Sequence, residues 1–241
     1  MVQKKYVKGV KPVKKKATLV ILVKNEIKGI TALIDKIPCA EIDDVFVVDG
    51  QSKDGSREFF EKKKFKIYVQ EKLGRAEAFR LAVGKAKHEH IIFFSPDGNE
   101  NPKDILALLE FLEQGYDMAI GSRFMKGGRS DDDDVPLPIR GFGNKGFTMI
   151  ANLLWHGNLT DSINGFRAIK KSLFEELRPD CEGFAVEYQL SIRALKRKKR
   201  VIEIPTYEGD RIGGQSTART IPTGLYFVKL LCKEILRGNK F

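Results

Sequence analysis

Asp97, Asn99 and Glu100 fall together in IIFFSPDGNENP (91–102), where an apolar strand pattern runs into a polar turn. In an open parallel sheet, loops converge and ligands bind at the carboxyl ends of the strands. Four more such ends are rich in polar groups: Lys24, Asn25 and Glu26; Asp49, Ser52 and Asp54; Gly74 and Arg75; and Gly121, Ser122 and Arg123. Asp49 offers acceptors for base or ribose groups of a nucleotide. Arg75, at a glycine-preceded helix start, can meet a phosphate with its own charge and the helix N-terminus together. An acidic strand end beside phosphate-binding arginines suggests Mg2+ or Mn2+, which take oxygen ligands and are commonly shared with substrate phosphates. Asp97 is the candidate ligand. Any one of these aspartates is also a turn former or helix cap; the conjunction of five such ends in one half of the chain is what points to a site.

These ends need a sheet behind them. ATLVILV (17–23), DDVFVVDG (43–50), FKIYVQ (65–70), HIIFFSP (90–96) and YDMAIGSR (116–123) read as strands. Helical patterns fill the spaces between them, in KNEIKGITALIDKI, SKDGSREFFEKKK, GRAEAFRLAVGKAK and KDILALLEFLEQG. The alternation predicts an α/β fold, a Rossmann-like, mostly parallel sheet with helices on both faces. FMKGGRSDDDDVPLPIRG (124–141) has no periodicity and reads as a mobile loop of the kind that forms lids. Helices are then expected in GNKGFTMIANLLWHG, SLFEELRPD, VEYQLSIRALKRK and TIPTGLYFVKLLCKEILRGNKF, with a late strand in RVIEIPTYE.

The 241 residues suffice for one domain with a substantial core. The first sixteen contain seven Lys and no acid, and they lack the apolar run of a secretory signal. The net charge of +11 implies an anionic partner: nucleic acid, acidic lipid or a phosphorylated substrate. Basic residues interleaved with aromatics on one face, or a helix-turn-helix pattern, would favour nucleic acid, and neither is present. No apolar stretch suits a bilayer span, and Cys39, Cys181 and Cys232 lack the spacing of a disulfide framework or zinc site.

Taken in order, VVDGQSKDG, GRAEAFRLAVGKA, SPDGNENP, GSR, TDSINGFRAI and IPTYEGDRIGGQS resemble the motifs of the inverting glycosyltransferase family 2. The resemblance extends to its polyprenyl-phosphate sugar synthases, the group of dolichol-phosphate mannose synthase, and runs over about 18–220. It implies a GT-A fold, a nucleotide-sugar donor such as GDP-mannose or a UDP-hexose, and Mg2+ or Mn2+. Leu22, Lys24, Glu26 and Asp49 would line the base and ribose pocket, with Arg75 nearby. Asp97 and Asn99 would hold the metal and the donor diphosphate, and Arg211 and Ser216 would approach its phosphates. Arg123 and Arg140 would face the acceptor phosphate, and Asp161 with Gly165, Phe166 and Arg167 would shape the sugar and acceptor pocket. Ser95 stands where the family's acid pair has its first Asp, which leaves Asp97 the one carboxylate at the two usual positions.

The resemblance thus implies a metal-dependent transfer of a hexose, mannose favoured, to a polyprenyl phosphate. The alternatives are a saccharide hydroxyl acceptor or a catalytically weak scaffold. A lipid phosphate is already anionic at neutral pH and needs positioning rather than a base. A hydroxyl needs a carboxylate, for which Asp161, Glu187 or the DDDD run (131–134) are candidates. The expected organisation is a basic tail (1–17), a catalytic domain (18–220) and a C-terminal amphipathic helix (221–241). Together tail and helix suggest a cytoplasmic protein peripheral to an anionic membrane surface.

Overall fold

The computed structural model describes residues 14–130, 139–213 and 220–241. Its centre is a seven-stranded sheet: β1 (Lys15–Val23), β2 (Ile42–Asp49), β3 (Lys66–Val69), β4 (His90–Phe94), β5 (Met118–Ser122), β6 (Arg167–Lys170) and β7 (Val201–Pro205), in the spatial order β3-β2-β1-β4-β6-β5-β7. The strands are parallel except β6, which runs antiparallel between β4 and β5. Strand order reverses between β1 and β4, and ligands bind at such switch points in open α/β sheets.

Both faces of the sheet are buried. Along β1, Leu19, Ile21 and Val23 enter one core while Val20 and Leu22 enter the other, as the two-residue period of a strand requires. One core is closed by α1 (Ile27–Leu33), α2 (Ser56–Lys62) and α4 (Asp104–Glu113). The other is closed by α3 (Arg75–Lys85), α5 (Ile139–Trp155), α6 (Lys171–Leu177), α7 (Val186–Lys196) and α8 (Thr220–Arg237). Phe79 of α3 stacks on Phe93 of β4 with ring centroids 3.9 Å apart, which seats the helix that carries Arg75.

The α/β alternation expected from the sequence is present, with three differences. The first helix ends at Leu33 and continues as a 3-10 turn through Lys36. β1 takes in Lys15 and Lys16, assigned from the sequence to the basic tail. Strand β6 was not anticipated, because its four residues, RAIK, are too few to show alternation.

The C-terminal helix docks on the core. Phe227 and Leu230 are buried against Tyr188 and Phe147. Glu234, fully buried, accepts from Arg193 Nε at 3.0 Å and from Gln189 Nε2 and Lys196 Nζ at 2.8 Å each. Asp180, at the foot of the same network, accepts from Lys233, Arg193 and Arg237.

Removing one partner of a buried ion pair strands the other, so Glu234→Gln is expected to lower unfolding free energy by about 3–5 kcal/mol in urea titrations. Burial alone would raise both carboxyls. Hydrogen bonds from Arg193, Lys196 and Gln189 outweigh it at Glu234, and those from Arg237, Lys233 and Gln189 do so at Asp180, leaving both below their ordinary values. Groups with depressed folded pKa stabilise fully above about pH 4 and lose that contribution as pH falls through their folded values. The acid limb of the pH-stability curve should therefore be shallower in Glu234→Gln than in the parent protein.

Candidate active site

At the carboxyl ends of β1, β2 and β4 lies a cleft of about 390 Å³, floored by Leu22, Val48 and Ala78 and rimmed by Lys24, Glu26, Arg75, Asp97 and Arg211. Its position follows from how the first loop is held. Asn25 takes a positive φ of 57°, and its side chain accepts from Lys53 N–H at 2.8 Å. Asp54, in the turn before α2, and Ser56, the first residue of α2, accept from the backbone N–H groups of Ile27 and Glu26 at 3.0 Å each, capping the free end of α1. The KDGS turn thus fixes the direction of Glu26 into the cleft.

The opposite wall is a staple of two loops. Residues 206–213, after β7, cross back over the turn that follows β4. Ile212 N–H donates to Asp97 O at 2.9 Å, Gly209 N–H to Asn99 O at 3.1 Å, and Asn99 Nδ2 to Gly209 O at 3.0 Å. The crossing is tight enough to require Gly98, whose φ is +103° and whose missing Cβ would lie 2.8 Å from Asp210 O. From this loop Arg211 Nη1 donates to Asp97 Oδ2 at 3.0 Å while Nη2 reaches Glu26 Oε1.

Three acids therefore share a small, poorly hydrated region. Burial pushes Glu26 up to about 7 against the pull of Arg211. Burial likewise raises Asp97, and burial together with the Asp97 charge raises Glu100 well above the usual carboxylate range. Glu100 Oε2 accepts from Ser95 N–H at 2.6 Å. Buried Ser95 Oγ, Glu26 Oε2 and Glu187 Oε2 have no hydrogen-bond partner among the described residues. Such orphaned oxygens are costly unless a ligand supplies the missing partner.

Arg75 completes the wall. Its Nε donates to Glu187 Oε1, and Glu187, on the first turn of α7, is 2% exposed. The pair fits because residue 165 is glycine; a Cβ there would overlap the Arg75 guanidinium and approach Glu187 Oε1 to 3.0 Å.

The remaining residues proposed from the sequence take other places. Asp49 is fully buried, accepts from Ser52 N–H at 3.2 Å and does not line the cleft. Asp161, also fully buried, makes a two-pronged pair with Arg123, Nε to Oδ2 at 2.6 Å and Nη2 to Oδ1 at 3.0 Å, so its placement is that of a support for Arg123. Asp161 is itself held by Glu203, which accepts its N–H at 2.7 Å. Arg167 is sealed in the core with Nε on Asn164 O at 2.9 Å. Arg140 lies in the first turn of α5, half-buried. Ser216 and the DDDD run lie outside the described residues. Gln70, Leu73, Gly183 and Phe184 line the cleft without having been singled out. Gln70 closes the FKIYVQ strand pattern, and its place at a strand end was the available signal; Phe184 comes from a 3-10 turn with no pattern of its own.

Among the described residues, no three His, Cys, Asp or Glu side chains converge to enclose a metal. The oxygens that face the cleft include those of Glu26 and Asp97 and Ser95 Oγ, which has no partner among the described residues; they are hard donors suited to a cation whose remaining ligands come from phosphates. Asn99 is tied to Gly209 through its Nδ2.

A mixed sheet of this order with a charged cleft at its switch point is the arrangement of the GT-A fold. The family model for glycosyl transferase family 2 matches residues 18–178, and the chain belongs to that family. It is 26% identical to glycosyltransferase AglJ of Haloferax volcanii over 80% of this chain and 63% of that one, so it spans less than two thirds of that relative. It is also 26% identical to a dolichyl-phosphate hexose transferase of the same organism, over 88% and 90% of the two chains. Glucosyl-3-phosphoglycerate synthase of Mycobacterium tuberculosis, solved with Mn2+, UDP and glucosyl-3-phosphoglycerate, superposes with a TM-score of 0.72 at 17% identity, covering 92% of this chain and 80% of that one.

Substituting Gly165 by Ala should expel Arg75 from Glu187 while leaving both residues intact. Calorimetric titration with UDP and GDP is expected to show at least a tenfold loss of affinity, about 1.4 kcal/mol, with circular dichroism unchanged.

Proposed function

We propose that the chain transfers a hexose from a nucleotide diphosphate hexose to a polyprenyl phosphate, with Mg2+ or Mn2+, at the cytoplasmic face of a membrane. The observation that carries this reading is the state of the two base candidates from the sequence that lie among the described residues. Asp161 gives both oxygens to Arg123, and Glu187 is buried in its pair with Arg75. A saccharide hydroxyl needs a base to take its proton, whereas a phosphate monoester attacks as the anion it already is. The similarity to a dolichyl-phosphate hexose transferase over most of both chains points the same way.

Arg75 and Arg211 would meet the donor diphosphate, where negative charge grows as the sugar leaves. A divalent ion held by Asp97 and Ser95 Oγ, together with donor phosphates, would offset the same charge when bound. Binding the diphosphate would also give Arg211 a second anionic partner besides Glu26 and Asp97. Arg123, fixed by Asp161, and Arg140, at the start of α5, are the candidates to orient the acceptor phosphate.

No helix among the described residues is long and apolar enough to cross a membrane. The helices α5 and α8 nonetheless expose Phe142, Met149, Leu153, Leu225, Val228 and Leu236, with Lys145, Lys229 and Lys233 also exposed. Apolar surface of this kind beside lysines suits an anionic bilayer surface, where a polyprenyl phosphate would reside.

Purified protein incubated with Mg2+ or Mn2+, UDP- or GDP-hexoses and vesicles carrying polyprenyl phosphate should yield a polyprenyl phosphohexose, and excess EDTA should abolish it. Glycosylation of saccharide acceptors with none of the lipid phosphate would overturn the proposal. In sedimentation assays the protein should bind vesicles with anionic lipid in preference to neutral ones, and Leu225→Glu combined with Leu236→Glu should weaken that binding at least tenfold.

A further inference from the structure

Where the cleft meets the end of β3 it contains a polar atom with a fixed orientation and no partner among the described residues. Gln70 follows directly on β3, is 7% exposed and lines the cleft. Its backbone is clamped twice: its N–H donates to Asp49 O at 2.9 Å, and its carbonyl accepts from Gln51 Nε2 at 2.9 Å. Its side-chain amide is clamped as well, with Nε2 donating to Lys72 O at 3.2 Å and to Gly74 O at 2.9 Å. Both amide hydrogens are thereby used, so Oε1 is the atom left to interact with a ligand, and it accepts no hydrogen bond from a described residue.

Space in front of this oxygen is kept by Gly50. A Cβ built there would lie 3.3 Å from Gln70 Oε1 and 3.2 Å from Lys24 Cβ, so the Gln70 acceptor and the Lys24 stem flank one point. Lys24 is exposed and carries a strong donor at its end. Asp49, the base contact suggested by family resemblance, is fully buried, accepts from Ser52 N–H and does not line the cleft.

We infer that Gln70 Oε1, with Lys24 Nζ beside it, reads the donor's base through a ring N–H flanked by a carbonyl, which selects uracil or guanine over cytosine and adenine. Uracil presents N3–H beside O4, and guanine presents N1–H beside O6; each matches an acceptor next to a donor. In the same placement cytosine N3 and adenine N1, themselves acceptors, would face Gln70 Oε1 lone pair to lone pair, and only a base shifted along its edge could offer its exocyclic amino group instead. The locked amide matters here, because a free glutamine could flip and present its NH2 to those bases, whereas this one would first have to give up both bonds to Lys72 and Gly74. A buried polar group left unpaired by the wrong ligand discriminates more strongly than a missing apolar contact does.

The inference rests on the nucleotide-donor reading above, and calorimetry on the full chain separates the two. Wild-type protein with Mg2+ is titrated with UDP, GDP, CDP, ADP and N3-methyluridine diphosphate, whose methyl group replaces the reading proton. Expected is binding of UDP or GDP at least tenfold tighter than CDP and ADP, with the methylated probe at least tenfold weaker than UDP if UDP is the ligand that binds. Gln70→Met, of similar size, should erase most of the difference between UDP or GDP and CDP, with thermal unfolding followed to confirm that it folds. Wild-type binding of CDP as tight as that of UDP and GDP overturns the assignment without any variant. Retention of the full preference by folded Gln70→Met does so too. If no nucleotide binds the wild type, the donor reading fails and the assignment fails with it.

Discussion

The site depends on a charge imbalance that the sheet itself creates. Glu26, Asp97 and Glu100 are brought to adjoining strand ends at the switch point, and burial there favours their neutral forms. Arg211 and Arg75 are the cations that make the arrangement tenable: Arg211 bridges Glu26 and Asp97, while Arg75 lies within electrostatic reach of Asp97 and Glu100. Each arginine is delivered by a separate device. Arg211 arrives on the loop after β7, stapled to the turn after β4, and Arg75 rides at the start of a helix seated by Phe79 on Phe93. A cleft preloaded with acids and arginines in near balance is suited to admitting an anion and a cation together, and less so either alone.

The same logic extends outward in layers. Behind Arg75 stands Glu187 on α7, and behind Arg123 stand Asp161 and then Glu203 on β7. On the proposed reading, the acceptor side and the donor side would meet in the 206–213 segment. Arg129 N–H donates to Thr206 O at 3.1 Å and Glu208 N–H to Arg129 O at 2.9 Å, so the root of the 131–138 segment and the loop bearing Arg211 share one short ladder. The two halves of the reaction would thus be organised by a single stretch of backbone.

Much of this was legible from residue order. The parallel half was readable because ATLVILV and HIIFFSP are apolar runs bounded by turn residues, and Leu22, Lys24, Glu26, Arg75, Asp97 and Arg211 do converge on one cleft. What was hidden depends on distance in space. Asp49 has the type and position of a ligand contact, yet its depth is set by Ser52 and by strands on either side of β2. Asp161 and Glu187 look like free acids in the sequence because their arginines lie 38 and 112 residues away. Gln70 looks unremarkable because its meaning comes from which of its two amide atoms is already taken.

The reversed strand β6 has a consequence for chain length. The segment leading into it is tethered upstream, where Asn152 exchanges hydrogen bonds with the backbone of Leu159 and the hydroxyls of Thr148 and Ser162 lie 2.8 Å apart. Downstream it enters a strand paired on both edges. Phe166 and Ala168 face one core and Ile169 the other. Gaining or losing one residue between Ser162 and Phe166 would turn the strand over, sending the Arg167 guanidinium toward the opposite, apolar layer. Elsewhere a loop can lengthen at its solvent-exposed tip; here length is counted in pairs, and the spacing from Asp161 to Arg167 is as much a part of the fold as the residues themselves.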